Sequence, residues 1–230
     1  MMEKIFVPAK SPEDWNLLLA EPNKHWKNGY SAKALAYCWQ EANDFPKSVK
    51  TVFNKSGINI FKNIELLLAF PEYKVSLPGG PRSSQNDIFI LARGNDQLIT
   101  IAVEGKVSED FGKPIAKWKQ EKDEKTNKEE RLNFILQELN LMGRSIDSIR
   151  YQLLHRTASA IIEAKKFNAK DALILVHSFS KSYEHFEDYN QFLALYGLSG
   201  EKDSLTGPVN INGINLYFAW VKGEAQYLNK

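Results

Sequence analysis

Cysteine occurs once in the 230 residues, at Cys38. A single thiol excludes an internal disulfide and a zinc site built on several cysteines. No stretch approaches the roughly 20 apolar residues needed to span a bilayer, so no membrane association is expected. The opening, MMEKIFVPAK, lacks a long apolar segment, which speaks against a secretory leader and for a soluble, cytoplasmic protein. An excess of one charge is also missing: 30 basic and 28 acidic side chains leave a formal net charge of +2. That balance neither demands nor excludes nucleic acid, because local patches outweigh the sum. There is no internal repeat, no low-complexity tail, and no helix-turn-helix or zinc module that would announce a target-reading domain.

What is present suits one α/β unit with decorations, 43% hydrophobic and 25% charged. SPEDWNLLLA opens as a helix, with Ser11 as N-cap, Pro12 in the first turn and Glu13 and Asp14 at the positive end of the dipole. SAKALAYCWQEAND reads as a second helix, and GINIFKNIELLLAF, residues 57–70, as a third. EYKVSL suggests a short strand and PGGPRSSQ a loop. NDIFILAR and QLITIAVEGK are rich in β-branched and aromatic residues and flank the turn signal GND, so they read as a hairpin. The charged run from Lys113 to Arg131 reads as a solvated helix or an excursion. EERLNFILQELNL and SIRYQLLHRTASAIIEAKKF follow as helices, the latter capped by Ser145 or Asp147. DALILVHSF is nearly all apolar, as a strand covered on both faces should be. FEDYNQFLALYGL is helical in pattern, and INLYFAWV is a last strand. The expectation is a central mixed β-sheet flanked by helices.

The hairpin brings charges together. With Asn95 and Asp96 as a two-residue loop, Gly94 faces Gln97, and counting back along both strands sets Asp87 opposite Glu104. Opposed residues share a face, with Cβ atoms about 4.5–5.5 Å apart, and Lys106 points the same way. Two adjacent carboxylates repel unless a cation sits between them. Lys106 supplies part of that charge; Mg²⁺ or Mn²⁺, held by Asp87, Glu104 and the unshielded carbonyl of Gly105, would supply more. On a helical wheel for residues 57–70, Glu65 lies on the apolar stripe, where a carboxylate either snorkels at the stripe's edge or needs a partner such as Lys106 or a metal.

Asp87 followed by Glu104-Gly105-Lys106 on the next strand resembles the PD-(D/E)XK nuclease superfamily, the restriction endonuclease-like fold. The resemblance covers about Ile58 to Ser180, with Asn86 standing where the family name has proline. It implies an α-β-β-β-α-β core over residues 57–180, an N-terminal helical elaboration over 1–56 and a C-terminal one over 181–230, all in a single domain. It also implies metal-dependent hydrolysis of a phosphodiester in nucleic acid, DNA before RNA. Asp87 and Glu104 would be metal ligands, Lys106 would stabilise the attacking hydroxide, and Glu65 would be an auxiliary acid. Gln152 matches a glutamine carried by exonuclease-like branches and shares a polar face with Arg156, which suits contact with a phosphate. A homodimer would suit cutting both strands. The alternatives are a catalytically inactive relative that binds nucleic acid or protein, and an unrelated α/β protein whose Glu104–Lys106 pair is structural.

Other features carry a bland and a sharp reading together. LPGGPRSSQND is an ordinary turn or a contact to a nucleic-acid backbone through main-chain N–H groups and Arg82. KPIAKWKQEK is a solvated helix or a lid whose Trp118 stacks on a base. Trp15, Trp26, Trp39 and Trp220 are expected in the core or an interface. His155 and His177 lack ligand spacing and read as packed or exposed; His25 and His185 fall in loops.

Overall fold

The structure, a computed structural model, describes residues 9–123 and 125–230. Most of the opening MMEKIFVPAK, through Pro8, lies outside the described residues. A 3-10 turn, Pro12–Leu18, and a short helix α1, Pro22–His25, precede α2, Ser31–Ala42, and α3, Lys47–Lys55. Then come β1, Glu65–Val75, β2, Ser84–Gly94, and β3, Gln97–Lys106. Helices α4, Ile115–Gln120, α5, Lys128–Glu138, and α6, Tyr151–Lys166, lead to β4, Asp171–Ser178. Helix α7, Phe186–Ala194, and strands β5, Ser204–Ile211, and β6, Ile214–Lys222, complete the fold.

The six strands form one mixed sheet in the order β1-β2-β3-β4-β6-β5. The first three make an antiparallel meander, and β4 joins β3 in parallel after α6 crosses over. A parallel neighbour needs such a crossover, and a helix is the usual one. Each face of the sheet carries an apolar layer. Ile88, Ile101, Val103 and Leu175 meet Leu35, Trp39, Val49 and Phe53 from α2 and α3. Ala102, Ile174, Val176 and Phe218 meet Leu154, Ala158, Ile161 and Phe192 from α6 and α7. The expected mixed sheet flanked by helices is therefore present. No helix among the described residues is long and apolar enough to cross a membrane.

The hairpin register is the expected one, with Gly94 opposite Gln97 and Ile88 opposite Val103. Asn95 and Asp96 take the positive φ values, 49° and 58°, that a two-residue type I′ connection requires. Gly94 has a second job. A Cβ there would lie 1.7 Å from the carbonyl oxygen of Ile60, so the preceding turn packs directly on its backbone. Gly94→Ala is expected to destabilise the protein by at least about 2 kcal/mol in urea unfolding, since the contact atom is main chain and cannot step aside.

Three readings need correction. Residues 57–70 are not a helix: Asn59–Phe61 is a 3-10 turn, and Glu65 opens β1, which runs through the segment read as EYKVSL. A short apolar run such as LLLAF fits a strand as well as a helix, and pairing with β2 decides for the strand. The helix before the meander is α3, which buries Val49, Val52 and Phe53. Helix α6 starts at Tyr151 with Arg150 as its cap, not at Ser145 or Asp147. Strand β5 was missed because SLTGPVNI contains Gly207-Pro208, which is a loop signal; on an edge strand the register shift between Thr206 and Val209 absorbs it.

Trp15, Trp39 and Trp220 are buried, and Trp26 packs partly buried against the α2 layer. The glycines of the PGGP loop lie against neighbouring backbone. Cβ atoms at Gly79 and Gly80 would lie 2.4 Å and 2.6 Å from the carbonyls of Asn127 and Lys125, so that backbone packs against the segment leading into α5.

Candidate active site

A cleft of about 380 Å³ opens where the start of β2 meets the end of β3. Glu72 of β1, Asp87 of β2, Glu104, Gly105 and Lys106 of β3, and Gln152 and Arg156 of α6 line its floor. Its outer wall comes from Leu19, His25 and Ser31 on one side and Glu109 and Asp110 on the other. The residues before β1 thus build part of the cleft. Glu109 holds the two walls together: its carboxylate accepts from the amide and hydroxyl of Ser31 at 2.9 Å and from the amide of Val107 at 2.8 Å.

The local chain dictates this convergence. Alternation along β3 sends Glu104 and Lys106 to the same face, towards α6. Gln152 and Arg156 are four apart on α6, so they stack along one stripe of its first two turns. Glu104 is buried, and its two oxygens are both taken: Lys106 Nζ donates to Oε1 at 2.7 Å and Arg156 Nε to Oε2 at 2.6 Å. Lys106 also donates to Gln152 Oε1 at 3.1 Å and sits 4.9 Å from the centre of the Phe111 ring. Asp87 Oδ2 accepts the amide of Gly105 at 2.7 Å, and Arg156 Nη2 stands 4.0 Å from its Oδ1. A Cβ on Gly105 would press on Leu35 at 3.2 Å and Asp87 at 3.3 Å. Gly105 was read as offering its carbonyl; the contact it makes is through its N–H.

The carboxyl groups divide by environment. Burial alone would raise Glu104, but Arg156 and Lys106 outweigh it and hold its pKa at about 2. Burial and the charge of Glu104 push Asp87 up to about 7. Burial and the charge of Asp87 push Glu72 up to about 8. Unfolded carboxyls titrate near ~4, so the native state holds protons on Asp87 and Glu72 that the unfolded chain has released. Stability from these two groups is full below about pH 4 and is lost as pH rises through 7 to 8. Glu104 acts in the opposite sense, but its window lies at lower pH, between the ordinary carboxyl value and about 2. In chelator, the urea midpoint is therefore expected to fall between pH 5 and pH 8. Glu72→Gln and Asp87→Asn should flatten that slope, and an unchanged slope in both would remove the assigned cause.

Not every expected residue arrives. Glu65 sits at the opposite end of β1 and pairs with Arg93 across the strands at 2.7 Å, half exposed. Its helical placement was the error, and with it goes its role beside Lys106. Arg82 is exposed, stands 3.6 Å from Asp123 and lines a separate cavity. Glu72 takes the place meant for Glu65. Pro71 pairs with Ile88 and Tyr73 with Asn86, so Glu72 stands level with Asp87. Reading β1 as a strand and counting as for the hairpin would have found it. Its φ of 51° is rare for a side chain of this size, and Gln85 Nε2 holds its carboxylate at 2.6 Å.

A second group of metal-capable atoms, Cys38, His177 and Glu224, lies on the other face of the sheet, with ligand atoms within 4.8 Å of one another. Its hydrogen bonds argue against a metal. Trp39 Nε1–H donates to His177 Nδ1 at 3.1 Å, which places the proton of the neutral ring on Nε2. Burial drives the pKa of that ring down to about 3, so it stays neutral. Ser48 Oγ accepts from Nε2 at 3.2 Å and donates to Glu224 Oε2 at 3.2 Å. A metal-bound imidazole normally donates through its other nitrogen; here that nitrogen is an acceptor. The chain of bonds ties α2, α3 and β4 to the segment after β6. Trp39→Phe, which leaves His177 Nδ1 unpaired in the core, is expected to cost about 1–3 kcal/mol of stability.

The fold and cleft define a mixed α/β domain with a buried cluster of acids and cations at one end of its sheet. The chain belongs to the family DUF6946, a domain of unknown function, whose model matches residues 8–225. No curated protein matches it, and no solved structure does.

Proposed function

We propose that this protein is a divalent-metal-dependent phosphodiester hydrolase of the PD-(D/E)XK type that acts on nucleic acid, DNA before RNA. The observation that carries the reading is the meeting of Asp87, Glu104 and Lys106 in one solvent-connected cleft, on neighbouring strands of an antiparallel meander. The order β1-β2-β3 with β4 parallel to β3 through α6 supports the restriction endonuclease-like core.

The donor set fits a hard cation. Three carboxylates, Glu72, Asp87 and Glu104, face two cations, Lys106 and Arg156, and burial together with the charge of the neighbouring acid raises the pKa values of Asp87 and Glu72. These three acids would hold Mg²⁺ or Mn²⁺, which take oxygen ligands and retain waters. Bound there, the metal would acidify a water and offset charge on phosphoryl oxygens. Lys106 Nζ, aimed by Gln152, stabilises the phosphoryl oxygens as the phosphorus becomes five-coordinate. Arg156 keeps Glu104 ionised and oriented, and Gln85 fixes the Glu72 carboxylate. His25 and Asp110 line the rim of the cleft.

One observation favours a second reading, a protein of the same fold that binds without cutting: both oxygens of Glu104 are already engaged by cations. Calorimetric titration with Mn²⁺, followed by incubation with single- and double-stranded DNA and RNA, separates the two. Hydrolysis that needs Mn²⁺ and disappears in Lys106→Met supports the hydrolase. Mn²⁺ binding without hydrolysis of any of the four substrates supports the binding protein. Absence of Mn²⁺ binding would sink both as metal readings.

A further inference from the structure

Helix α6 serves two cavities. Successive side chains on a helix diverge by about 100°, so Tyr151 and His155 point away from the stripe of Gln152 and Arg156. They line a separate cavity of about 140 Å³ together with Arg82, Ser83, Lys128 and Arg131. We propose that this cavity is a binding site for a phosphoryl group. The inference goes beyond the hydrolase reading and does not rest on it.

The charge of the cavity carries the argument. Arg131 is 96% removed from solvent, yet pairs with no carboxylate among the described residues. Its Nε donates to the carbonyl of Pro78 at 3.0 Å and its Nη2 to that of Gly80 at 3.0 Å. Carbonyls satisfy hydrogen bonds but leave the positive charge uncancelled, and a buried uncancelled charge is costly. Lys128 donates to the carbonyls of Trp118 and Glu121 and forms no ion pair with a carboxylate among the described residues. Arg82 waits at the rim, largely exposed, in a loose 3.6 Å pair with Asp123. Among the described residues that line the cavity, three cations thus stand with one acid, Asp123, and Glu121 nearby also acts on Arg82 and Lys128. His155 adds no charge: burial and the neighbouring Arg156 hold its ring neutral.

The shape selects a compact anion rather than a base. Trp118 is covered by Tyr151, stacked at 4.2 Å between ring centres, and Lys128 lies 4.9 Å from the indole centre. That indole is therefore spent on packing. Apart from Asp123, the polar lining offers guanidinium and ammonium groups with the hydroxyl of Ser83, the donors that recognise tetrahedral oxyanions. The site also touches the cleft. Ser84 Oγ stands 2.7 Å from His155 Nδ1 and 3.5 Å from Arg156 Nη1, and Arg156 holds Glu104. The phosphoryl group would come from free phosphate or from the phosphorylated end of an oligonucleotide.

The test is a titration followed by ¹H–¹⁵N NMR at the Trp118 indole, in chelator and without divalent metal. The probes are inorganic phosphate and a thymidine dinucleotide with and without a 5′-phosphate. Movement of the Trp118 signal with either phosphorylated probe, weakened about tenfold (1.4 kcal/mol) by Arg82→Ala or Lys128→Ala, supports the site. Tighter binding of the phosphorylated dinucleotide than of inorganic phosphate assigns the source to a chain end; the reverse assigns it to free phosphate. Asp87→Asn should leave these affinities unchanged, so failure of the hydrolase reading does not touch this result. No movement up to about 20 mM of either probe, beyond the range of a millimolar site, would overturn the proposal. So would binding that Arg82→Ala and Lys128→Ala both leave intact.

Discussion

Glu104→Ala is expected to destabilise the protein by about 3–5 kcal/mol, read from urea unfolding at neutral pH in chelator. The loss has a specific cause. Lys106 and Arg156 are both buried, and each spends its charge on one oxygen of this carboxylate. Its removal strands two cations where water reaches poorly. Glu104→Gln retains part of the hydrogen bonding and should fall between wild type and alanine. Adding Arg156→Met to Glu104→Ala should recover part of the loss, because the two substitutions share one network and are not additive. If Glu104→Ala costs less than about 1 kcal/mol, the cations are solvated and the electrostatic picture of the cleft is wrong.

Asp87→Asn should do the reverse to stability and the most damage to function. The native Asp87 carboxyl is held protonated up to about pH 7 by burial and by the charge of Glu104. Replacing it by a neutral amide removes the cost of ionising it there. At pH 8 in chelator the variant is expected to unfold at a higher temperature, by about 2–4 °C for each kcal/mol relieved. The asparagine oxygen can still accept from the Gly105 amide. On the proposed hydrolase reading, metal-dependent cleavage should drop by at least about 10²-fold, as loss of a charge-stabilising group does elsewhere. A variant that is both more stable in chelator and unable to cleave would mark Asp87 as a residue kept for chemistry. Equal stability at pH 8, or undiminished cleavage, would argue that the strain lies elsewhere.

Local sequence rules carried much of the cleft and stopped at identifiable points. The GND turn between two β-branched runs determined the register of β2 against β3, because a two-residue loop allows one pairing. Asp87, Glu104 and Lys106 follow from that by alternation alone. Arg156 and Gln152 were recognised as a helical stripe, although what they hold could not be counted out from spacing. Glu65 and Glu72 show the limit. Both lie near LLLAFPEY, a run whose periodicity fits helix or strand, and the choice exchanges which acid reaches Asp87.

What the amino-acid order determined by itself was the hairpin, the single thiol, the apolar strands and the trio Asp87, Glu104 and Lys106. These rest on periods of two or four residues and on one tight turn, all of them local. Tertiary structure alone decided that Glu72 stands beside Asp87, that Arg156 shares Glu104 with Lys106, and that Arg131 lies buried with no acid partner among the described residues. Those placements depend on which distant segment packs over each strand, and packing free energy is summed over contacts that no local window of sequence contains.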